Sequence, residues 1–263
     1  MRRRAVALDF DGVIADSAVE SFLVAVRTYA RLRPQGRLPQ YAAQVKNATP
    51  DLIRSDPLYR NFLEMMPLGN RAEDFGVVLA LLERDQKVED QTAYDRTRAA
   101  EPAEFLVEFH DLFYRVRAEF QQAHPQDWCA WVEPYELFVR LLRPHSSVVT
   151  LCIATAKDRP SVEALLERYG LTDLFPSERV IDKEHGRSKR AHLETLRDRL
   201  DIDFSEMTFV DDKYNHLEDV APLGVRCVLA AWGYNGLREQ RLAKQAGYEV
   251  CDFEEASETV FTL

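Results

Sequence analysis

The stretch LDFDGVIADS, residues 8–17, decides the fold, because it places two carboxylates and a glycine directly after an apolar run. The run Ala5–Leu8 has the length of a short strand, and Asp9 and Asp11 follow it. At a strand end, residues i and i+2 project to the same side, so the two carboxylates share one face. Gly12 allows a tight backbone turn there. Carboxylates this close repel each other unless a cation lies between them or one of them holds a proton.

The composition describes a folded, acidic protein. The chain has 263 residues, of which 46% are hydrophobic, enough for one large domain or two smaller ones. Its formal net charge of −10 argues against general attraction to DNA, RNA or an anionic membrane. It contains no apolar run of the roughly 20 residues that a membrane span needs. We therefore expect neither nucleic acid nor a membrane as a partner.

The cysteines and histidines show no metal-site spacing. Cys129, Cys152, Cys227 and Cys251 form no C-x-x-C pair, and the six histidines form no H-x-x-H or H-x-x-x-H pair. Cys152 and Cys227 lie in apolar, strand-like runs, where a buried free thiol is expected. We expect each histidine to be at the surface or in packing. The apolar stretch after the first arginines is too short for a signal peptide, so we expect a reducing, cytoplasmic setting.

Short strand-like runs alternate with helical patterns over much of the chain. Further strands are predicted at 147–154, 179–181, 207–210 and 225–230. Helical periodicity follows three of these strands, at 161–170, at 188–200 and from His216. Strands that alternate with helices predict an α/β fold with a parallel sheet.

Residues 17–133 differ, because they contain helical periodicity and no convincing strand. The pattern is clearest over 18–32, 72–85 and 102–120. Ser17 and Glu20 have the S-x-x-E spacing of a capping box at the start of the first of these helices. The simplest layout is an α/β core of residues 1–16 and 134–263, with an all-helical domain of residues 17–133 inserted after the first strand.

Polar side chains follow the other predicted strands at the same edge. Thr155 follows the second strand, where its hydroxyl and the following amides, beginning with Ala156, can hold a phosphoryl oxygen. Asp211 and Asp212 end the fourth strand. Lys189 lies in the first turn of a helix, where its charge opposes the helix dipole. Carboxylate oxygens at this density suit Mg²⁺, and the lysine and threonine suit a phosphoryl group that the metal helps to hold.

Four segments resemble, in order, the motifs of the haloacid dehalogenase superfamily in its phosphatase branch. They are DFDGVIADS (9–17), IATAKD (153–158), SKRAHL (188–193) and FVDDKYN (209–215). The resemblance implies a Rossmann-like parallel-sheet core with a helical cap domain inserted after the first motif. AWGYNG (231–236) resembles a stretch common in phosphoglycolate-phosphatase-like members, and we expect it to pack as a loop near the site.

The resemblance also implies roles for the residues that match the motifs. Asp9 is the nucleophile that forms an aspartyl-phosphate, and Asp11 protonates the leaving oxygen and then deprotonates water. Thr155, Ala156 and Lys189 hold the phosphoryl oxygens.

The metal and its support are implied in the same way. Mg²⁺ is bound by the Asp9 carboxylate, the Asp11 backbone carbonyl and Asp212. Asp211 supports either the waters of the metal or Lys189, and Asn215 faces the same outer layer of the site.

Two lysines leave alternatives open. Lys183 lies just after the third strand and could replace Lys189, although the family lysine usually opens the helix, which favours Lys189. Lys157 is either near the phosphate or solvated. The presence of Asp11 favours phosphate-ester chemistry over dehalogenation, because the dehalogenase branch lacks the second aspartate.

The predicted function is Mg²⁺-dependent hydrolysis of a small phosphorylated metabolite, with the insertion acting as a lid that carries specificity. Phosphoglycolate, a sugar phosphate and a nucleoside monophosphate all fit, and the sequence gives no oligomeric state. The alternatives are a phosphomutase, a phosphonate hydrolase, which the few lysines of the insertion disfavour, and a non-catalytic relative that binds phosphate or a partner. A receiver-type signalling domain is disfavoured by its motif order and by its shorter length.

Overall fold

The computed structural model describes residues 4–69, 71–123, 125–186 and 188–262. Within these residues the strands are β1 (Ala5–Leu8), β2 (Ala15–Asp16), β3 (Glu133–Pro134), β4 (Thr150–Ala154), β5 (Val180–Ile181), β6 (Met207–Asp211), β7 (Arg226–Ala230) and β8 (Glu249–Cys251). The helices before β3 are α1 (Ala18–Leu32), α2 (Arg37–Gln44), α3 (Pro50–Ser55), α4 (Pro57–Met65), α5 (Ala72–Glu83), α6 (Gln91–Ala100), α7 (Ala103–Ala123) and α8 (Pro125–Ala130). The later helices are α9 (Glu136–His145), α10 (Arg159–Arg168), α11 (Lys189–Leu200), α12 (Tyr214–Val220), α13 (Leu237–Gln245) and α14 (Ala256–Phe261).

The chain divides into two compact units. One consists of the residues up to Asp16 together with Glu133 onward, and the other is Ser17–Val132. The first unit contains the strands and α9 to α14, and the described part of the second contains only helices and their connections. The α/β class with a helical insertion is thereby confirmed. Nowhere in the described ranges does a helix combine the length and apolar character needed to cross a bilayer.

The α/β unit is built on a six-stranded parallel sheet in the order β5-β4-β1-β6-β7-β8. The central strand β1 is buried along its whole length, as are its neighbours β4 and β6. Burying an aliphatic side chain stabilises a fold by about 1.5–3 kcal/mol. Strands that are apolar on both sides gain this stabilisation only in a parallel sheet with both faces covered. The order reverses at β1, which pairs with β4 on one side and β6 on the other, and ligands of parallel sheets bind at such a point.

Several predicted boundaries differ from the structure. The strand expected at 147–154 begins at Thr150, and the strand expected at 207–210 extends to Asp211. Strands β2 and β3, which form a small antiparallel pair, and the edge strand β8 were not predicted. Each has two or three residues, too short to produce a recognisable alternation of polar and apolar positions.

In the helical unit, α1, α5 and α7 confirm the predicted helices, but the capping box is wrong. Ser17 makes no side-chain cap hydrogen bond. The Glu20 carboxylate accepts hydrogen bonds from Arg117 Nε at 2.7 Å and Nη2 at 2.8 Å. It also accepts one from Trp128 Nε1 at 3.2 Å. A buried charge is stabilised far more by a guanidinium than by a backbone amide, so the long-range ion pair takes the side chain.

Candidate active site

The carboxyl ends of the three central strands bring the predicted residues to one edge. Leu8 at the end of β1 is paired with Ile153 on β4 and Val210 on β6. The amide of Asp9 donates to the Val210 carbonyl at 2.9 Å, which places the Asp9 backbone beside the end of β6. Asp9 is buried, and its Oδ1 accepts the Phe10 amide at 2.7 Å.

Lys189 is the lysine that the structure brings to Asp9. Its Nζ lies 2.8 Å from Asp9 Oδ1 and 3.2 Å from Asp211 Oδ2, and it donates to the Ala154 carbonyl at 2.7 Å. Ser188 caps α11 by accepting the Ala191 amide, which fixes the helix start from which Lys189 projects. Lys183 instead lies 3.8 Å from Glu184 and remains one-third exposed. The helix start therefore delivers one buried ammonium to two carboxylates.

Asp211 is fixed by a side chain that the sequence analysis placed at the surface or in packing. His216, on α12, has its Nδ1 at 3.0 Å from both carboxylate oxygens of Asp211. The Lys213 amide donates to Asp211 Oδ1 at 2.8 Å. The expectation for His216 is thus wrong. Its position five residues after Asp211, at the start of the following helix, is the only signal that the sequence offered.

Asp212 is held by the loop after β7. The Tyr234 amide donates to Asp212 Oδ2 at 2.7 Å, and Asn235 Nδ2 donates to the Asp212 carbonyl at 3.1 Å. A Cβ on Gly12, whose φ is +88°, or on Gly233 would overlap the Asp212 side chain. Both glycines are thus needed for close approach, and the segment 231–236 packs against the site as expected.

Asp11 and Thr155 meet through Lys157. Lys157 Nζ lies 2.9 Å from Asp11 Oδ1 and 3.1 Å from Oδ2, and its side chain is 0% exposed. The Lys157 amide donates to Thr155 Oγ1 at 3.0 Å. Of the two interpretations left open for Lys157, solvation is wrong.

Two predicted residues make weaker connections. Ala156 is exposed, and its amide makes no hydrogen bond within the described part of the chain, so it is available to an anion. Asn215 is half-buried in the first turn of α12. No hydrogen bond links its side chain to the described residues around Asp211, so its supporting role stays a prediction.

Comparison with known proteins identifies the family. The sequence model of the haloacid dehalogenase-like hydrolases matches residues 3–218, which include all four motif segments. The chain belongs to the haloacid dehalogenase-like hydrolases. The predicted superfamily is confirmed.

Solved structures share the fold of this haloacid dehalogenase-like hydrolase. A protein named "putative phosphoglycolate phosphatase" from Lactobacillus delbrueckii subsp. bulgaricus is 14% identical, with both chains covered to 100% and a TM-score of 0.69. A predicted phosphoglycolate phosphatase from Haemophilus somnus is 14% identical, with 98% of each chain covered and a TM-score of 0.62. A haloacid dehalogenase-like family protein from Streptococcus pneumoniae is 13% identical, with 97% of each chain covered and a TM-score of 0.62. No curated protein sequence matches the chain.

The electrostatics of this hydrolase's site favour a bound cation. Burial raises the pKa of Asp9 to about 6, although the Lys189 charge opposes the shift. Burial, together with the charge of Asp211, raises the pKa of Asp212 well above its usual range, against the charge of Lys213. Two buried carboxylates are therefore costly to ionise, and a divalent cation beside them would offset that cost.

Asp211 and Lys189 behave differently, because their partners outweigh desolvation. Burial acts to raise the pKa of Asp211, but the charges of His216 and Lys189 together lower it. Burial acts to lower the pKa of Lys189, but Asp211 and Asp9 together raise it. Both groups are thus held in their charged forms.

The donor set suits a hard divalent metal. Asp9, Asp211 and His216 each offer a ligand atom, and these atoms lie within 4.8 Å of one another. His216 and Lys189 already engage the Asp211 oxygens, so Asp211 is the less available of the buried carboxylates. The predicted set of Asp9, Asp212 and the Asp11 carbonyl is all oxygen, which Mg²⁺ prefers. The residues present therefore fit the metal.

Proposed function

We propose that this hydrolase is a Mg²⁺-dependent phosphatase that acts on a small phosphorylated metabolite through an aspartyl-phosphate on Asp9. The observation that carries the proposal is the contact of 2.8 Å between Lys189 Nζ and Asp9 Oδ1 inside a buried group of carboxylates. A nucleophilic carboxylate must be ionised, and burial alone works against that. Lys189 and a metal held by Asp9, Asp212 and the Asp11 carbonyl would keep it ionised.

The protein groups divide the reaction between them. A carboxylate oxygen of Asp9 attacks phosphorus, the bond from phosphorus to the ester oxygen breaks, and Asp11 gives that oxygen its proton. Asp11 then takes a proton from the water that attacks the aspartyl-phosphate, which releases inorganic phosphate and restores both carboxyl groups. Lys189, Thr155 and the Ala156 amide offset the charge of the phosphoryl oxygens. A metal held by Asp9, Asp212 and the Asp11 carbonyl would supply positive charge that offsets the negative charge of the transferring phosphoryl group.

The division of the chain and its setting belong to the same proposal. We assign catalysis to the α/β unit and the role of cap to Ser17–Val132. The phosphoglycolate phosphatase names of the two fold relatives make phosphoglycolate the first metabolite to test. Cys152 and Cys227 are buried free thiols, which supports a reducing, cytoplasmic setting.

The test is phosphate release from p-nitrophenyl phosphate with Mg²⁺ or with EDTA, for the wild type and for Asp9→Asn. We expect metal-dependent turnover that falls by at least about 10³-fold in the variant, since an amide cannot form the phospho-enzyme. Asp198→Asn is the matched control, because Asp198 is exposed and, among the residues that the structure describes, forms an ion pair only with the neighbouring Arg197. Turnover that survives in Asp9→Asn would assign the nucleophile to another residue and overturn the proposal.

A further inference from the structure

Lys157 lies in the second motif segment, but the resemblance gives it no role, and in the structure it forms an ion pair with Asp11. The ammonium reaches both oxygens of one carboxylate, at 2.9 and 3.1 Å. The lysine side chain is 0% exposed, while the Asp11 side chain is 30% exposed. One side of the carboxylate is therefore covered by the lysine, and part of it still faces solvent.

The backbone of Lys157 is anchored, so the reach of its side chain is fixed. Its amide donates to Thr155 Oγ1 at 3.0 Å, and its carbonyl accepts the Lys183 amide at 3.5 Å. Asp158, the next residue, caps α10 by accepting the Ser161 amide at 3.0 Å. Lys157 is thus held between the loop after β4 and the segment after β5, and it spans to the loop after β1.

Burial distinguishes this pair from an ordinary surface salt bridge. An exposed pair contributes little, because water screens the charges and the side chains remain mobile. A fully desolvated ammonium is instead strongly held to its partner, since moving away would leave an uncompensated buried charge. The orientation of the Asp11 carboxylate is therefore set by a rigid element, which a proton-transferring group requires.

We propose that Lys157 is a positioning residue that orients the Asp11 carboxyl group for proton transfer to the leaving oxygen. This inference rests on the proposed phosphatase function. Lys157 keeps its own protons throughout. Asp11 enters the step protonated and gives that proton to the ester oxygen as the bond from phosphorus to that oxygen breaks. The carboxylate that remains is the form that pairs with Lys157, and it regains a proton from the attacking water.

The proposal predicts an effect that depends on the leaving group. A phenolate leaving group needs protonation more than p-nitrophenolate does, because it carries the more basic oxygen. Removing Lys157 should therefore slow phenyl phosphate hydrolysis more than p-nitrophenyl phosphate hydrolysis. A lysine that bound the phosphoryl group directly would affect both esters alike, since the phosphoryl group is the same.

The experiment compares kcat and KM for the two esters in the wild type, Lys157→Met, Asp11→Asn and the double variant, all with Mg²⁺. For Lys157→Met we expect kcat on phenyl phosphate to fall by about 10²-fold and on p-nitrophenyl phosphate by less than about 10-fold, with KM within about threefold. In the Asp11→Asn background the same change should cost less than about threefold, because the group that Lys157 orients is gone.

Equal losses on both esters with a raised KM, or the same loss in the Asp11→Asn background, would overturn the proposal and assign Lys157 to the phosphoryl group. Lys157→Gln, which keeps an N–H donor without the charge, carries the same comparison if Lys157→Met does not fold. Lys244→Met is the matched control, because Lys244 is exposed on α13. If the wild type has no Mg²⁺-dependent turnover, or Asp9→Asn keeps it, the proposed function fails instead.

Discussion

Both units bury carboxylates, but they compensate them differently. In the helical unit, Glu20 is fully buried and receives three hydrogen bonds, two from Arg117 and one from Trp128. In the α/β unit, Asp9 and Asp212 are buried among other carboxylates, and the pKa of each is raised. A buried charge with complete partners stabilises one structure. Buried carboxylates whose charge is only partly compensated raise the free energy of the metal-free protein. They therefore indicate a site where a cation binds.

The largest stability effect should come from the compensated pair. Glu20→Gln removes the charge that balances Arg117, whose side chain is only 8% exposed. Breaking a buried pair on one side costs about 3–5 kcal/mol, because the remaining charge cannot reach water. The measurement is the free energy of unfolding from urea denaturation.

Glu104→Gln is the matched control for that prediction, because Glu104 is an exposed glutamate in the first turn of α7. Its free energy of unfolding should stay within about 0.5 kcal/mol of the wild type. If Glu20→Gln changed the free energy as little as Glu104→Gln does, the pair would not be a structural element.

A buried histidine that stays neutral provides a second test of how burial affects an ionisable group. His192 Nε2 donates to the Gly186 carbonyl at 3.0 Å, and Nδ1 is buried with no hydrogen-bond partner among the described residues. Burial, together with the charge of Lys189, lowers the pKa of His192 to about 4. The unfolded state then binds the proton first, so the stability contributed by neutral His192 is present above pH 6.5 and is lost as pH falls toward 4.

His192→Gln should remove this acid sensitivity, because glutamine keeps an N–H donor and does not titrate. Between pH 7 and pH 5 the wild type should lose about 2 kcal/mol more than the variant. Urea denaturation at the two pH values gives the difference. Equal losses of unfolding free energy in the two proteins would mean that His192 takes up a proton as readily in the folded state as in the unfolded state.

The sequence predicted the groups that lie directly on strand ends. Asp9, Thr155 and Asp211 follow apolar runs, and the register of parallel strands brings such positions together. Lys189 was predictable from its position at a helix start. These residues depend only on the strand pattern, which burial on both faces makes clear in the sequence.

The partners of these groups could not be predicted, because loops and long-range contacts decide them. The contact of Lys157 with Asp11 joins residues 146 apart in the chain, and the Tyr234 amide lies 22 residues from Asp212. The capping box predicted from Ser17 and Glu20 was wrong for the same reason, because Glu20 pairs with Arg117, which lies 97 residues away in the chain. A local sequence pattern shows which hydrogen bonds a side chain could make with its neighbours in the chain. It does not show which distant residue the fold brings closer.

The smallest effect, and the one that tests the comparison most directly, concerns Asp212. Its carboxylate is buried and burial raises its pKa, so Asp212→Asn should stabilise the metal-free protein at pH 8. Adding Mg²⁺ at about ten times its Kd should stabilise the wild type by about 1.4 kcal/mol. The variant should lose most of that gain, because a neutral amide neither repels its neighbours nor attracts the cation.

Thermal unfolding with Mg²⁺ or EDTA measures both the stability of the metal-free protein and the stabilisation by Mg²⁺, and Asp198→Asn should follow the wild type in each. A variant that is less stable without metal, yet still stabilised by Mg²⁺, would mean that Asp212 is a compensated structural charge like Glu20.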